Sequence, residues 1–141
     1  MRYYFPMLSG FYNRLRPLSE TFLRVISGLA LMVHGWPKIT DPLGNVEMVG
    51  MIGFAPAAFW SVALAVTEFF GGLLLLLGLF TRLAALGTFI ILAVAAYFHW
   101  VLLGQGWSGA EFPLLWAAVN LFFIARGGGR YSLDGIRGRE I

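Results

Sequence analysis

The sequence predicts an all-α integral membrane bundle of four helices with both termini in the cytoplasm. Three observations carry this. Of 141 residues, 59% are hydrophobic and only 12% charged, with a mean hydropathy of +0.77, against about 45–50% apolar and about 25% charged in a typical soluble domain. The apolar residues gather into four stretches. The basic residues fall almost entirely on one side of those stretches.

The stretches run from Thr21 to Trp36, Pro56 to Phe80, Leu83 to Leu103 and Phe112 to Ala125. A helix crosses the hydrocarbon in about 20 residues, with a range near 17–25. The second and third stretches qualify alone; the first and fourth must borrow flanking residues. Arg2, Arg14, Arg16 and Arg24 cluster at the start of the first span, Arg82 lies in the "FTRL" turn, and Arg126, Arg130, Arg137 and Arg139 follow the fourth. Nine of the ten basic residues thus share one side, and Lys38 alone lies on the other. The positive-inside rule places that side in the cytoplasm. Residues 37–55 and 104–111 then form outer loops, with Trp36, Trp60, Trp100 and Trp107 as interfacial aromatics. Pro37 and Pro42 break the chain after span one, Pro56 and Pro113 sit near helix starts, and Gly127 to Gly129 stop the last helix.

This divides the chain into a basic, aromatic segment over residues 1–20, a four-span domain over 21–126 and a short cytoplasmic tail over 127–141. The first segment has no apolar core followed by a small-residue cleavage site, so it is not a secretory signal. It suits the headgroup layer, or stands as a loose basic tail. No cysteine is present, which excludes disulfides, thiolate metal sites and an autonomous thiol oxidase.

Charged groups inside the spans are the candidate functional residues. At 1.5 Å per residue, Arg24 lies about 20 Å below the outer boundary and Glu68 about 18 Å. A buried ion pair or proton relay between Arg24 and Glu68 follows. Glu20 is a rival partner, and Arg24 can also snorkel to the inner headgroups. Ala63, Thr67 and Gly71 form a small-residue stripe on the second helix, next to Gly72. Gly28 and Gly35 share a stripe of the first helix with Arg24, Leu31 and Lys38, so these residues favour close helix packing. Asn120, mid-span on the fourth helix, is expected as interhelical glue.

His34 and His99 each fall about 6 Å below the outer surface. With Lys38 and Glu111 they define a candidate outer polar pocket, unless each histidine is only an interfacial hydrogen-bond donor. No HxxxH or ExxH pair places two ligands on one helix face, so no metal is indicated. Bis-histidine haem ligation by His34 and His99 is a minor alternative. There is no nucleotide fingerprint and no nucleic-acid module.

"LRVISGLALMVHGWPKI" resembles the first-helix motif of the DoxX family, with its Arg, His-Gly and Lys. "EFFGGLLLLLGLFTRLAAL" resembles that family's second helix and turn, and "GGGRYSLD" its C-terminal ending. The resemblance covers about residues 20 to 135. It implies a four-helix protein of the bacterial inner membrane, associated with redox homeostasis or with a quinone-linked oxidoreductase of sulfur metabolism. Arg24, His34, Lys38, Glu68 and Glu111 are the positions it carries over. A quinone is the cofactor it suggests, held by a histidine donor with Glu68 as proton relay. Electrons would come from a substrate or a partner subunit. The alternatives are a noncatalytic scaffold for partner redox enzymes, or a small-solute or proton pathway. The expected partners are the lipid bilayer and a protein subunit or second copy.

Overall fold

The computed structural model describes residues 4–139; Arg2 and the last two residues of the tail lie outside them. Among the described residues the chain is helical throughout. A 3-10 turn (Pro6–Leu8) leads into α1 (Ser9–Thr40). Then follow α2 (Val46–Ile52), α3 (Ala57–Leu77), α4 (Thr81–Tyr97), a π-helical turn (Phe98–Leu102), α5 (Gly106–Arg126) and α6 (Leu133–Arg137).

Among the described residues, three helical segments are long and apolar enough to cross a membrane: Ala57–Leu77, Thr81–Leu102 and Gly106–Arg126. Helix α1 is longer, at 32 residues, but Arg24, His34 and Lys38 dilute its apolar half, and it falls outside that set.

Several boundaries depart from the sequence expectation. Helix α1 starts at Ser9 rather than near Thr21, and it continues through Pro37 to Thr40. Proline removes one donor and crowds the preceding turn. Side chains compensate here: Lys38 Nζ donates to the His34 carbonyl at 2.9 Å, and Thr40 Oγ1 donates to the Trp36 and Pro37 carbonyls at 3.0 Å. The break falls at Asp41, just before Pro42. The loop between α1 and α3 contains α2, whose apolar run "VEMVGMI" packs on α3. Helix α5 begins at Gly106, so Glu111 and Pro113 lie inside it rather than at its start.

The most extensive packing is α1 on α3 and α4 on α5, with α3 and α4 joining the two pairs. Small residues set the first interface. A Cβ on Gly28 would lie 2.5 Å from the Leu76 nitrogen and 2.6 Å from the Gly72 carbonyl oxygen, and one on Gly35 would lie 2.8 Å from the Phe69 nitrogen. Gly71 instead faces α4, where a Cβ would meet the Thr88 methyl at 2.7 Å. In the second pair, fully buried Asn120 accepts from Thr88 Oγ1 at 2.8 Å and donates to the Trp116 carbonyl at 2.8 Å.

The residues after α5 fold back onto the α3–α4 turn. Asp134, 7% exposed, accepts from the Phe80 and Thr81 backbone N–H groups at 2.9 Å each and from the Thr81 hydroxyl at 2.8 Å. It therefore caps α4 from a distant part of the chain, where a carboxylate meets unpaired N–H groups and the positive end of the helix dipole. Its own N–H donates to the Gly78 carbonyl at 2.9 Å. Phe80 has φ +48°, a left-handed conformation costly for a bulky residue, and Asp134 holds it there. Ser132 caps α6, accepting from the Gly135 N–H at 2.9 Å.

Candidate functional site

Glycine contacts set the register between α1 and α3. Gly28 meets Gly72 and Leu76, while Gly35 meets Phe69. On that register Glu68 lies level with the last turns of α1, and Arg24 lies level with the end of α3. The expected Arg24–Glu68 pair is therefore not formed. Arg24 Nη1 donates to the Leu75 and Leu76 carbonyls at 2.6 Å each, and Nη2 donates to the Tyr131 carbonyl at 2.8 Å. The guanidinium thus satisfies the open carbonyl end of α3, with the negative charge of Asp134 nearby. Gly78, at φ +66°, leaves room for this, because any side chain there would collide with Ser132 and the guanidinium. Glu20 pairs with Arg126, accepting from Nε and Nη2 at 3.1 Å each. The depth estimate failed because it set Trp36 and Pro56 level. Helix α1 in fact runs on to Thr40, and α3 begins beyond its end.

Glu68 takes Lys38 instead. Lys38 Nζ lies 2.9 Å from Glu68 Oε2, with the side chains 23% and 9% exposed respectively. The contact is an ion pair outside hydrogen-bonding angles, so Oε2 has no hydrogen-bond donor among the described residues. Lys38→Met should therefore strand a buried carboxylate. We expect a loss of about 2–3 kcal/mol, below the roughly 3–5 of a fully buried pair because Lys38 reaches solvent. Lys38→Met with Glu68→Gln should recover most of it. Thermal melts of the single and double variants check this, and equal loss in both would contradict the pairing.

The pair borders a cavity of about 570 Å³, bounded by the end of α1, by α2, by the N-terminal half of α3 and the C-terminal half of α4, and by the π-helical turn. Its wall is mainly apolar, including Met48, Ile52, Phe54, Trp60, Leu64 and Ile91. Lys38, Thr67, Glu68 and His99 are its polar residues. Ala63 and Thr67, read as helix packing, border this space, and the Thr67 methyl also abuts Gly87. π-helical turns recur at functional sites, and this one carries His99. His99 Nδ1 lies 2.8 Å from Gln105 Oε1. An amide oxygen accepts, so Nδ1 is the donor in this contact.

The expected pocket of His34, Lys38, His99 and Glu111 is thus not assembled as a unit. Lys38 and His99 border the cavity together with Glu68. His34 is exposed, one residue and so about 100° round the helix from Gly35, which faces α3. It enters the site only through its carbonyl. Glu111 is exposed, about 100° from buried Ala110 on α5. The bis-histidine haem pair fails for the same reason, because His34 does not border the cavity that His99 borders.

Sequence reasoning missed the α2 wall, although its short apolar run in a polar loop was a signal. It also missed Asp134, for which the Ser132 cap and the residues after it were the available cue.

Helices of spanning length and apolar surface, around an apolar cavity edged by one ion pair, define a membrane protein. The DoxX family model matches residues 20–100, and the chain belongs to the DoxX family. That match contains Arg24 and every residue bordering the cavity; Asp134 lies beyond it. The chain is 33% identical over 128 residues to an uncharacterised protein of Haemophilus influenzae, covering 86% of this chain and 92% of that one. It is 28% identical over 122 residues to a Bacillus subtilis protein named "Putative oxidoreductase CatD", covering 86% and 89%. No solved structure matches.

Proposed function

We propose that this DoxX protein is a multi-pass protein of the bacterial inner membrane and a quinone-interacting subunit of an oxidoreductase system. In this reading α1, α3, α4 and α5 are the four spans, with both termini in the cytoplasm. The basic residues at the Arg24 end support that orientation. The cavity is the observation that carries the function. An apolar space of about 570 Å³ with a few polar groups is the usual form of a small-molecule site, and a quinone headgroup with an apolar tail suits its lining.

Held by Lys38 and His99, a quinone would supply two-electron chemistry, with electrons exchanged with a substrate or a partner subunit. The chain's own groups bind, orient and handle protons. Lys38 donates to the His34 carbonyl and faces Glu68, which leaves an N–H for a ligand carbonyl oxygen. His99 Nε2 accepts a hydroxyl proton, and the Gln105 contact fixes the ring. Glu68 positions the Lys38 ammonium and serves as the next proton-holding group. The supporting name comes from the Bacillus subtilis relative.

The test is the quinone content of protein purified in mild detergent, measured by absorbance and mass in an organic extract. We expect near-stoichiometric quinone in the wild type and in His34→Ala, whose side chain lies outside the cavity. His99→Ala and Lys38→Met should fall at least about tenfold, the loss of one good hydrogen bond or more. Background quinone in every sample would overturn this reading.

A second reading, a noncatalytic scaffold, has its own support. Arg137 at the end of α6 and Arg139 just beyond it are exposed, a basic surface suited to an enzyme partner or anionic lipid.

A further inference from the structure

Helix α1 is longer than the bundle it belongs to. Glu20 is tied to Arg126, the last residue of α5, and Arg24 to the final carbonyls of α3. Residues 9–19 therefore project past the ends of both helices, by about 16 Å at 1.5 Å per residue. Residues 10–16, 18 and 19 are all exposed. A free-standing helix of this length is marginal in water, and this one is not polar all round. Leu8, Phe11, Leu15, Leu18 and Phe22 follow one another at spacings of three and four residues, and they are 40% to 69% exposed. The same spacing continues to Val25, which is half-buried toward the Gly28 side of α1, and to Leu29, which is 47% exposed. An unbroken alternation of three and four is the heptad pattern of a coiled-coil seam.

We infer that this stripe is covered by the same stripe of a second copy, as a parallel two-stranded coiled coil rising from the paired α1 helices. The inference rests on α1 crossing the membrane, which gives every copy the same direction and makes a two-fold, self-complementary contact the natural one. Charge permits it. In that register Arg14 flanks the seam and meets Ser19 of the other copy, so no like charges oppose each other. Arg16 and Glu20 point away from the seam. Burial in the headgroup layer would instead need the segment to turn nearly at right angles to α1, a break absent from a helix continuous from Ser9 to Thr40.

The chain's lack of cysteine makes the test direct. Single-cysteine variants of the full chain at residues 10 to 19 are oxidised in native membranes and run on non-reducing gels. Phe11→Cys, Leu15→Cys and Leu18→Cys should form dimers several-fold faster than Asn13→Cys and Arg16→Cys. Leu15→Glu with Leu18→Glu should shift the purified protein from dimer to monomer mass. Its thermal melt should change little, because neither residue packs on the bundle. Crosslinking without the three-four period, or a monomeric wild type, would overturn the proposal. So would bilayer-phase quenching of a fluorophore at Leu15→Cys without dimer formation. Asn13→Cys, labelled by an impermeant maleimide only in inverted vesicles, checks the topology separately.

Discussion

Asp134→Ala is expected to lower stability by about 3–5 kcal/mol, the range for a buried charge network that loses one member. The carboxylate accepts three hydrogen bonds, two of them from the backbone N–H groups of Phe80 and Thr81, where α4 begins. Its removal leaves the Thr81 N–H unpaired in a site where Thr81 is only 1% exposed. It also removes the support for Phe80 at positive φ and the negative charge near Arg24. Asp134→Asn keeps one acceptor oxygen and should lose roughly half as much. Thermal unfolding in detergent distinguishes the three proteins. If wild type and Asp134→Ala melt together, the return of the chain onto the α3–α4 turn does not hold the bundle closed.

Gly28→Leu should be at least as damaging. Even the first carbon of a side chain there would lie 2.5 Å from one backbone atom of α3 and 2.6 Å from another. Backbone cannot rotate aside as a side chain can, so α1 and α3 must separate. Overpacking typically costs about 1–3 kcal/mol; here a whole interface moves, and we expect Gly28→Ala in that range and Gly28→Leu to fail to accumulate as folded protein. Gly10→Leu is the control, since nothing lies within 4 Å of a Cβ there. Comparable yields and melting points for Gly28→Leu and Gly10→Leu would contradict the close approach.

Helical class and apolar segments were legible in the sequence because composition and segment length depend on the solvent rather than on neighbours. Partner choice was not. Arg24 and Glu68 were matched by depth, and depth depends on where each helix ends. Pro37 suggested an end that side-chain hydrogen bonds at Lys38 and Thr40 avert. A shift of one or two turns reassigns every charge: Lys38 reaches Glu68, Arg24 reaches the carbonyls of α3, and Glu20 reaches Arg126. His34 and Glu111 failed as pocket residues for an angular reason. Each stands one residue from an inward-facing position, and one residue on a helix is about 100°. Asp134 was invisible because its role is long-range, and nothing in a local pattern says that a carboxylate caps a helix more than 50 residues earlier.

That capping arrangement also orders events during synthesis. Chains fold as they emerge, earlier segments first. The α3–α4 turn is made long before Ser132 and Asp134 leave the ribosome. Until then the first turn of α4 has no carboxylate, and the Arg24 guanidinium lacks the Tyr131 carbonyl. The nascent bundle therefore inserts with one end open, and the last stretch of chain completes it. A chain that ends before residue 134 lacks the carboxylate on the first turn of α4, and that end of the bundle stays unsealed.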